Sequence, residues 1–173
     1  MLHLTLPARC SQIELIRALD EAEALRNQWE HLQLTLPTGG FIEIPAVSWL
    51  CAWGLRQRAA GRTFSVEGER RATNLLARYD LFRHLEIPYE ERFNRNASVG
   101  RFIPLRLVDD SASVKAATDA ICDLVLRTLD NAADFLPALE WAVNEIIDNI
   151  VIHAESAVPG AVCAQLYPNQ QRL

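Results

Sequence analysis

The hydrophobic and polar positions of the first half of this chain predict strands alternating with helices. Residues 2–6 and 32–36 alternate between apolar and polar side chains, which is typical of half-buried strands. Between them, apolar residues recur at helical spacing from Ser11, which can cap a helix, to about residue 31. Pro45 then opens a second apolar helix, which is expected to end near residue 61.

The pattern continues with a predicted strand at residues 63–66 and a predicted helix over 71–85. Residues 88–108 are different, because they read as an extended segment that contains Pro104. We therefore place a domain boundary near residue 109, which gives a first domain at 1–108 and a second at 109–173. Short connections between strands and helices indicate an α/β (α+β) fold, with a sheet covered by helices.

In the second domain, Ser111 or Ser113 is expected to cap one helix, and a second helix is predicted at about 135–154. Residues 161–166 read as a closing strand. On the second helix, Glu145, Asn149 and His153 are spaced by four residues and form one stripe over an arc of roughly 80°. Such a stripe can serve as a base, a metal ligand and a phosphate contact, although a solvated helix face is the simpler interpretation.

Composition and charge narrow the function classes. The formal net charge is −5 and half of the residues are hydrophobic, which suits a globular protein and gives no support for nucleic-acid or membrane-surface binding. The arginines between residues 56 and 71 are expected to form a solvated surface. No apolar window is long enough to span a bilayer, and the N-terminus lacks a signal-peptide pattern. We therefore expect a cytoplasmic protein.

Three of the four cysteines and all four tryptophans are predicted to be core residues. Cys10, Cys51, Cys122 and Cys163 are far apart and form no CxxC pair, so neither a zinc site nor a disulfide framework is expected. The histidines share no motif that would indicate a metal cluster. All four tryptophans lie at helical spacing within apolar segments, which favours core packing: Trp29, Trp49, Trp53 and Trp141.

Residues 30–87 resemble a STAS-type domain, the small α/β fold of anti-sigma-factor antagonists. The resemblance rests on a strand, the loop Phe41-Ile42-Glu43-Ile44-Pro45-Ala46-Val47, a helix, a strand and a final helix. In that family the loop carries a serine that is phosphorylated as a switch. Glu43 stands at the family's aspartate position, whereas Ile44 and Pro45 stand at the serine positions and have no hydroxyl group. The resemblance therefore implies a scaffold or docking role without the usual phosphoswitch.

The segment from Glu145 to Ala154, Glu-Ile-Ile-Asp-Asn-Ile-Val-Ile-His-Ala, resembles the N-box of GHKL-type ATPases, which include histidine kinases. The resemblance implies that Asn149 holds the Mg²⁺ that bridges the phosphates of ATP. It also implies that Glu145 orients or deprotonates the attacking group and that His153 approaches the phosphates. Magnesium prefers oxygen ligands, and phosphoryl transfer depends mainly on positioning and charge neutralisation, so this assignment is chemically consistent.

The chain departs from that family after the N-box. The family continues with an Asp-x-Gly-x-Gly segment that reads adenine and a glycine-rich lid, whereas Gly160 is the one glycine after Asn149 here. We expect a truncated histidine-kinase-like segment that does not bind or turn over ATP by itself. An open sheet edge after Ala161 also predicts self-association.

Three hypotheses for function remain open at the level of sequence. The first is a regulatory module that combines STAS-like and ATPase-like parts and contacts a protein partner in a bacterial-type signalling pathway. The second is an ATP-binding ATPase or protein kinase whose C-terminal half is supplied by a longer or neighbouring chain. The third is a degenerate remnant without activity. ATP and Mg²⁺ are expected as cofactors only in the second case.

Overall fold

The protein is a mixed α/β protein with two compact units. A computed structural model describes residues 1–95, 98, 100–153 and 156–166, with only the backbone described at His153. The two units are Met1–Arg95 and Asn96–Leu173. Helices and strands alternate along the chain, so the predicted α/β class is confirmed. Within the described residues, none of the helices has an apolar stretch that could cross a bilayer.

The first unit contains five strands, four α-helices and one short 3₁₀ turn within the described residues. In chain order these are β1 (Leu2–Thr5), β2 (Arg9–Cys10), α1 (Gln12–Ala24), the 3₁₀ turn Arg26–Gln28, β3 (His31–Leu36), β4 (Phe41–Ile42), α2 (Ile44–Ala59), β5 (Thr63–Gly68), α3 (Arg70–Arg78) and α4 (Leu81–His84). The strands predicted at 2–6, 32–36 and 63–66 and the helix that begins near Pro45 are confirmed.

The main sheet of the first unit is parallel and has the strand order β1-β3-β5. Its apolar residues alternate with polar ones, so every second side chain points to the same face. The buried face carries Leu4, Leu32, Leu34, Leu36 and Phe64. The residues between them are polar and partly or fully exposed, so helices cover this sheet on one face only. The predicted covering of the sheet by helices is therefore present on one of its two faces.

A second, shorter strand pair brings the starts of two helices together. β2 and β4 pair in parallel, with Arg9 opposite Phe41 and Cys10 opposite Ile42. The next residues, Ser11 and Glu43, are the N-caps of α1 and α2. The two helices therefore begin side by side at the same end of the unit.

Two helix boundaries differ from the prediction. The first helix stops at Ala24 instead of continuing to residue 31, and the indole Nε1 of Trp29 donates a hydrogen bond to the carbonyl of Ala22 at 3.1 Å. The helix predicted over 71–85 is divided into α3 and α4, because Asp80 has a φ of 61°. A left-handed residue cannot continue a right-handed helix, so the apolar periodicity persists while the helix itself is broken.

The second unit is an antiparallel strand pair covered by two helices. Its elements are β6 (Phe102–Val108), α5 (Ser111–Leu126), α6 (Ala132–His153) and β7 (Gly160–Gln165). β6 and β7 pair with Phe102 opposite Gln165 and Val108 opposite Gly160, with a register shift between Ile103 and Arg106. Both predicted helices and the closing strand are present. Asp110 caps α5, rather than either predicted serine, and forms a capping box with Ser113.

Both helices pack on the same face of the strand pair. One buried cluster joins Ile103, Leu124, Val125, Ala132 and Leu166. A second cluster joins Val108, Val114, Ala117 and Ile147. Each cluster combines residues of β6, α5 and α6, so the core of this unit is formed by its own strands and helices.

The boundary between the units lies before the predicted position near residue 109. The sequence pattern places β6 in the first domain, 1–108, because it reads as an extended continuation of that domain. In the structure, its hydrogen-bonded partner is β7, which follows it by more than fifty residues. The strand therefore belongs to the second unit, as the division at Arg95 and Asn96 indicates.

Candidate functional site

The candidate site lies on α6, whose two sides differ in chemistry. Its inner side is apolar and packs on the strand pair and on α5: Leu139, Val143, Ile147, Ile150 and Val151. Its outer side carries Glu145 and Asn149, both exposed. Pro137 lies within the helix, just beyond its first turn, and has no N–H to donate to the carbonyl one turn earlier. The apolar inner side fixes the direction in which the polar stripe points.

Glu145 and Asn149 share one face of α6, as the sequence predicted. They are one helical turn apart, a spacing that places their β-carbons about 6 Å from each other. Among the described residues, neither side chain has a hydrogen-bond or ion-pair partner, so both are available to a ligand. His153 is the last residue of α6. The predicted phosphate-contact role of its side chain lies outside the described part of the structure.

The oxygen atoms of Glu145 and Asn149 fit one kind of metal site. A carboxylate and an amide oxygen suit Mg²⁺, which retains several waters and takes its other ligands from phosphates. Within the described ranges, no group of three His, Cys, Asp or Glu residues could hold a metal ion. The donor set therefore fits a magnesium ion shared with a nucleotide, and it does not fit a metal held by protein ligands alone.

A shallow hollow lies at the C-terminal end of α6. It has a volume of about 190 Å³ and is lined by residues of β6, α6 and the segment before β7: Val108, Asp109, Ile150, Val151, Ser156, Ala157, Val158, Pro159 and Gly160. Neither Glu145 nor Asn149 lines it. Among the described residues, its lining includes an aspartate and no basic residue, which is unfavourable for a phosphate group.

Large apolar side chains also lie on the outer side of α6. Trp141 is 68% exposed, Ile146 66% and Ile152 59%. Trp49 of α2 is also exposed. Trp29 and Trp53 are buried, and their ring centroids lie 6.2 Å apart. The prediction that all four tryptophans are core residues is therefore wrong for Trp49 and Trp141. A helix with apolar residues on both sides is normally covered on both sides.

In the first unit, the loop that resembles a STAS switch leads into α2. Glu43 is the N-cap, and its side chain lies 3.8 Å from the guanidinium of Arg9. Ile44 and Pro45 occupy the first turn of α2, so no hydroxyl group stands at the switch positions. Burial and the neighbouring carboxylates of Glu14 and Glu43 raise the pKa of the Cys10 thiol to about 11. At neutral pH this thiol is protonated and therefore a weak nucleophile.

Three of the arginines between residues 56 and 71 make contacts within the first unit through their guanidinium groups. Arg56 approaches Glu23 at 3.7 Å, and Arg58 forms an ion pair with Glu86. Arg62 donates a hydrogen bond to the side-chain oxygen of Gln57 at 2.6 Å and lies over the ring of Trp29. These contacts are consistent with the expected surface role, because each of these guanidinium groups already has an acceptor or a carboxylate beside it.

Sequence reasoning missed a polar cluster on the open face of the parallel sheet. The two ring nitrogens of His31 lie 2.8 Å from the hydroxyl oxygens of Thr63 and Ser65. Gln33 donates a hydrogen bond to Glu67 on the same face. The alternation of polar residues in β3 and β5 was the available signal. Their register, with His31 opposite Thr63, became known only from the structure.

No protein family, curated protein or solved structure matches this chain. The first unit offers an open polar sheet face and a helix start without a hydroxyl group. The second offers an exposed helix face with two oxygen-bearing side chains.

Proposed function

We propose that this protein is a cytoplasmic regulatory module that joins a STAS-like unit to a histidine-kinase-like ATPase segment. It acts through contacts with a protein partner in a signalling pathway. The described residues do not turn over ATP by themselves.

The charge of α6 is the observation that carries this proposal. The helix contains Asp134, Glu140, Glu145 and Asp148, and it has no lysine or arginine. A triphosphate that approaches this face is repelled by its carboxylates. A single magnesium ion does not neutralise both the triphosphate and these carboxylates. The same face presents Trp141, Ile146 and Ile152 to solvent, which is typical of a surface that contacts protein.

The order of elements supports the ATPase-like ancestry of the second unit. A strand, two helices and a strand follow each other, and both helices pack on one face of the antiparallel pair. Glu145 and Asn149, the residues that resemble the N-box, lie on the side of α6 opposite its buried residues, and both are exposed. The apolar residues on the inner side of α6 pack on the strand pair and thereby fix the direction in which Glu145 and Asn149 point.

The first unit supports a docking role rather than a phosphorylation switch. Its helices α1 and α2 begin side by side. In the STAS resemblance, Glu43 corresponds to the family's acidic residue, and Ile44 and Pro45 correspond to its serines. A phosphoryl group needs a hydroxyl acceptor, and Ile44 and Pro45 have none. Ser48 is half-buried inside α2 and makes contacts within the protein.

A second candidate function is ATP binding for an ATPase or protein kinase whose remaining parts come from a longer or neighbouring chain. The alignment of Glu145 and Asn149 on one exposed face favours it, because both provide oxygen atoms for a magnesium–phosphate site. In such an assembly, Asn149→Ala removes magnesium-dependent nucleotide binding. Glu145→Ala leaves binding largely intact and slows turnover by about 10²-fold or more.

Calorimetry with this chain and magnesium ATP separates the two candidates. We expect no saturable heat at millimolar nucleotide, because α6 provides two oxygen ligands and no cation. Saturable heat that disappears in Asn149→Ala and persists in Asn144→Ala, a matched change on the same helix, would replace the regulatory proposal with the nucleotide-binding one. Heat that both variants retain would remove the N-box assignment and the regulatory proposal together.

A further inference from the structure

The outer side of α6 carries two apolar side chains with two carboxylates between them. Trp141, Glu145, Asp148 and Ile152 follow one another at spacings of four, three and four residues. On an α-helix these positions fall within an arc of about 60° and extend over about 16 Å of its length. Asp148 is half-buried and the other three side chains are exposed. We call this set of four residues the α6 stripe.

The α6 stripe lies on the opposite side of the helix from the residues that pack on the strand pair. Val143 and Ile147 belong to the buried side, and the centre of the stripe is about 150° around the helix from them. Within the described residues, no lysine or arginine forms an ion pair with Glu145 or Asp148, and α6 itself contains neither residue type. The two carboxylates of the stripe are therefore not neutralised from within the described chain.

The neighbouring helix α5 has a different outer side. Its exposed residues are mostly small or charged, and Lys115 forms an ion pair with Asp119 at 3.0 Å. Such a pair, one helical turn apart, is typical of a helix surface that faces water. On α6, in contrast, the outer side presents a tryptophan and an isoleucine together with unpaired carboxylates. This combination is typical of a helix surface that another molecule covers.

The spacing of the α6 stripe fits a second helix. Positions separated by four, three and four residues form a row that packs against a similar row when two helices lie nearly side by side. An extended segment gains main-chain hydrogen bonds only at a sheet edge, and the stripe is on the side of α6 away from the sheet. A helix forms its main-chain hydrogen bonds internally. The order apolar, acidic, acidic, apolar is the same in both directions, so the second helix can run parallel or antiparallel to α6.

The charge of the α6 stripe selects the chemistry of that helix. A second copy of this chain would place two more carboxylates opposite Glu145 and Asp148, and like charges in close contact are unfavourable. The anionic surface of a cytoplasmic membrane leaflet would be repelled in the same way. A helix with lysine or arginine opposite the two carboxylates would form ion pairs instead. Its apolar residues would remove Trp141 and Ile152 from water.

We propose that the α6 stripe binds a basic amphipathic helix of a partner protein. This helix carries two apolar residues that flank two lysines or arginines, at the same spacings as the stripe. The contacts with Trp141 and Ile152 supply most of the affinity, because exposed ion pairs contribute little by themselves. The ion pairs with Glu145 and Asp148 select a basic helix over a neutral or acidic one. This inference rests on the proposed regulatory function and names the chemistry of its partner.

The test uses the full chain and a synthetic probe. The probe is a fluorescein-labelled, alanine-rich peptide of about 20 residues, which is long enough to form a helix in part. It carries leucine, lysine, lysine and leucine at spacings of four, three and four residues. We expect saturable binding by fluorescence anisotropy. Trp141→Ala should weaken this binding by about tenfold or more, because large aromatic side chains dominate the affinity of such interfaces.

Ile146→Ala is the matched control for Trp141→Ala. Ile146 is also exposed on α6, but its helical position is about 140° from Trp141 and therefore outside the α6 stripe. The control should leave peptide binding unchanged. Equal weakening by the two variants, both folded by circular dichroism, would overturn the proposal, because the peptide would then bind exposed apolar residues regardless of the stripe.

An exchange of charges tests the proposed ion pairs. A second peptide with glutamate in place of both lysines should bind the wild-type chain about tenfold more weakly or worse, and it should bind Glu145→Lys/Asp148→Lys well. If the half-buried Asp148 does not accept this change and the double variant unfolds, Glu145→Lys alone should still favour the glutamate peptide over the lysine peptide. Equal binding of the two peptides by the wild-type chain would overturn the proposal.

Three other outcomes would also overturn the proposal. The first is the absence of saturable binding at millimolar peptide. The second is a dimer in light scattering that Trp141→Ala dissociates, which would assign the α6 stripe to a second copy of the chain. The third is sedimentation with neutral phosphatidylcholine vesicles that Trp141→Ala abolishes, which would assign it to a lipid surface. None of these results affects the nucleotide calorimetry, so the failure of this inference is distinct from the failure of the proposed function.

Discussion

Gln57 is the least expected buried residue in the first unit. It is 2% exposed, and its amide donates a hydrogen bond to Glu23 at 2.9 Å while its oxygen accepts one from Arg62. The partners come from α1 and from the turn before β5, far apart in sequence. The sequence shows only that Gln57 is a polar residue in an apolar helix. The tertiary structure explains its burial, because it supplies hydrogen-bond partners for both ends of the side-chain amide.

Glu23 makes the stability of this unit depend on pH. Burial acts to raise the pKa of its carboxyl, but Arg56 and hydrogen bonds from Trp53, Gln57 and Arg26 outweigh burial and hold it below its ordinary value of 4.5. A lowered pKa adds stability above pH 4.5, and this contribution is lost as the pH falls through the lower, folded-state value.

We therefore expect Glu23→Gln to destabilise the chain by about 1 kcal/mol at pH 7 and by much less at pH 3. Urea unfolding of both proteins at the two pH values measures the difference. Glu21→Gln, an exposed change on the same helix, is the control and should have little effect at either pH. An equal loss for Glu23→Gln at pH 7 and pH 3 would show that its charge contributes nothing.

At the scale of elements, the apolar spacing located most helices but not their ends. The continuous periodicity over residues 71–85 hides the left-handed Asp80. The carboxylate of Asp80 accepts a hydrogen bond from Arg95 at 2.7 Å, and this arginine also donates one to the carbonyl of Ala77. The break between α3 and α4 is thus stabilised by a residue that no local pattern connects to it.

The contact of α6 with β7 depends on Gly160. A β-carbon at this position would overlap Cγ2 of Ile150 and lie 3.1 Å from Cγ2 of Val108. We expect Gly160→Ala to lower the free energy of unfolding of the second unit by about 1–3 kcal/mol, because α6 and β7 must move apart. Thermal unfolding monitored by circular dichroism measures this loss.

A double variant tests whether this overlap is the cause. In Gly160→Ala/Ile150→Ala, the branch that meets the new methyl group is absent, so the loss should be smaller than the sum of the two single losses. Additive losses would mean that Gly160→Ala acts through the backbone rather than through Ile150.

At the scale of the whole molecule, strand pairing decides which residues form a unit. Residues 102–108 read as the end of the first domain because they follow it directly and are extended. Their core contacts are with α5, and their hydrogen bonds are with β7. Pairing between distant segments leaves no trace in composition, so the position of this boundary could not be predicted from the chain.

Two fragments test the boundary. We expect residues 1–95 to fold alone, with amide chemical shifts that match those of the full chain, because the sheet β1-β3-β5 and its helices lie within this range. A fragment of residues 1–108 should give the same dispersed signals, with the added residues appearing unfolded in the absence of β7. An unfolded 1–95 fragment together with a folded 1–108 fragment would restore the boundary predicted from the sequence.

The sequence by itself determined the α/β class, the order of most elements and the single face shared by Glu145 and Asn149. These properties depend on periodicity and on spacing within one element, and both are local. The tertiary structure decided which strands pair, that the parallel sheet is covered on one face, and that β6 belongs to the second unit. These properties depend on contacts between residues distant in the chain, which the order of amino acids does not display.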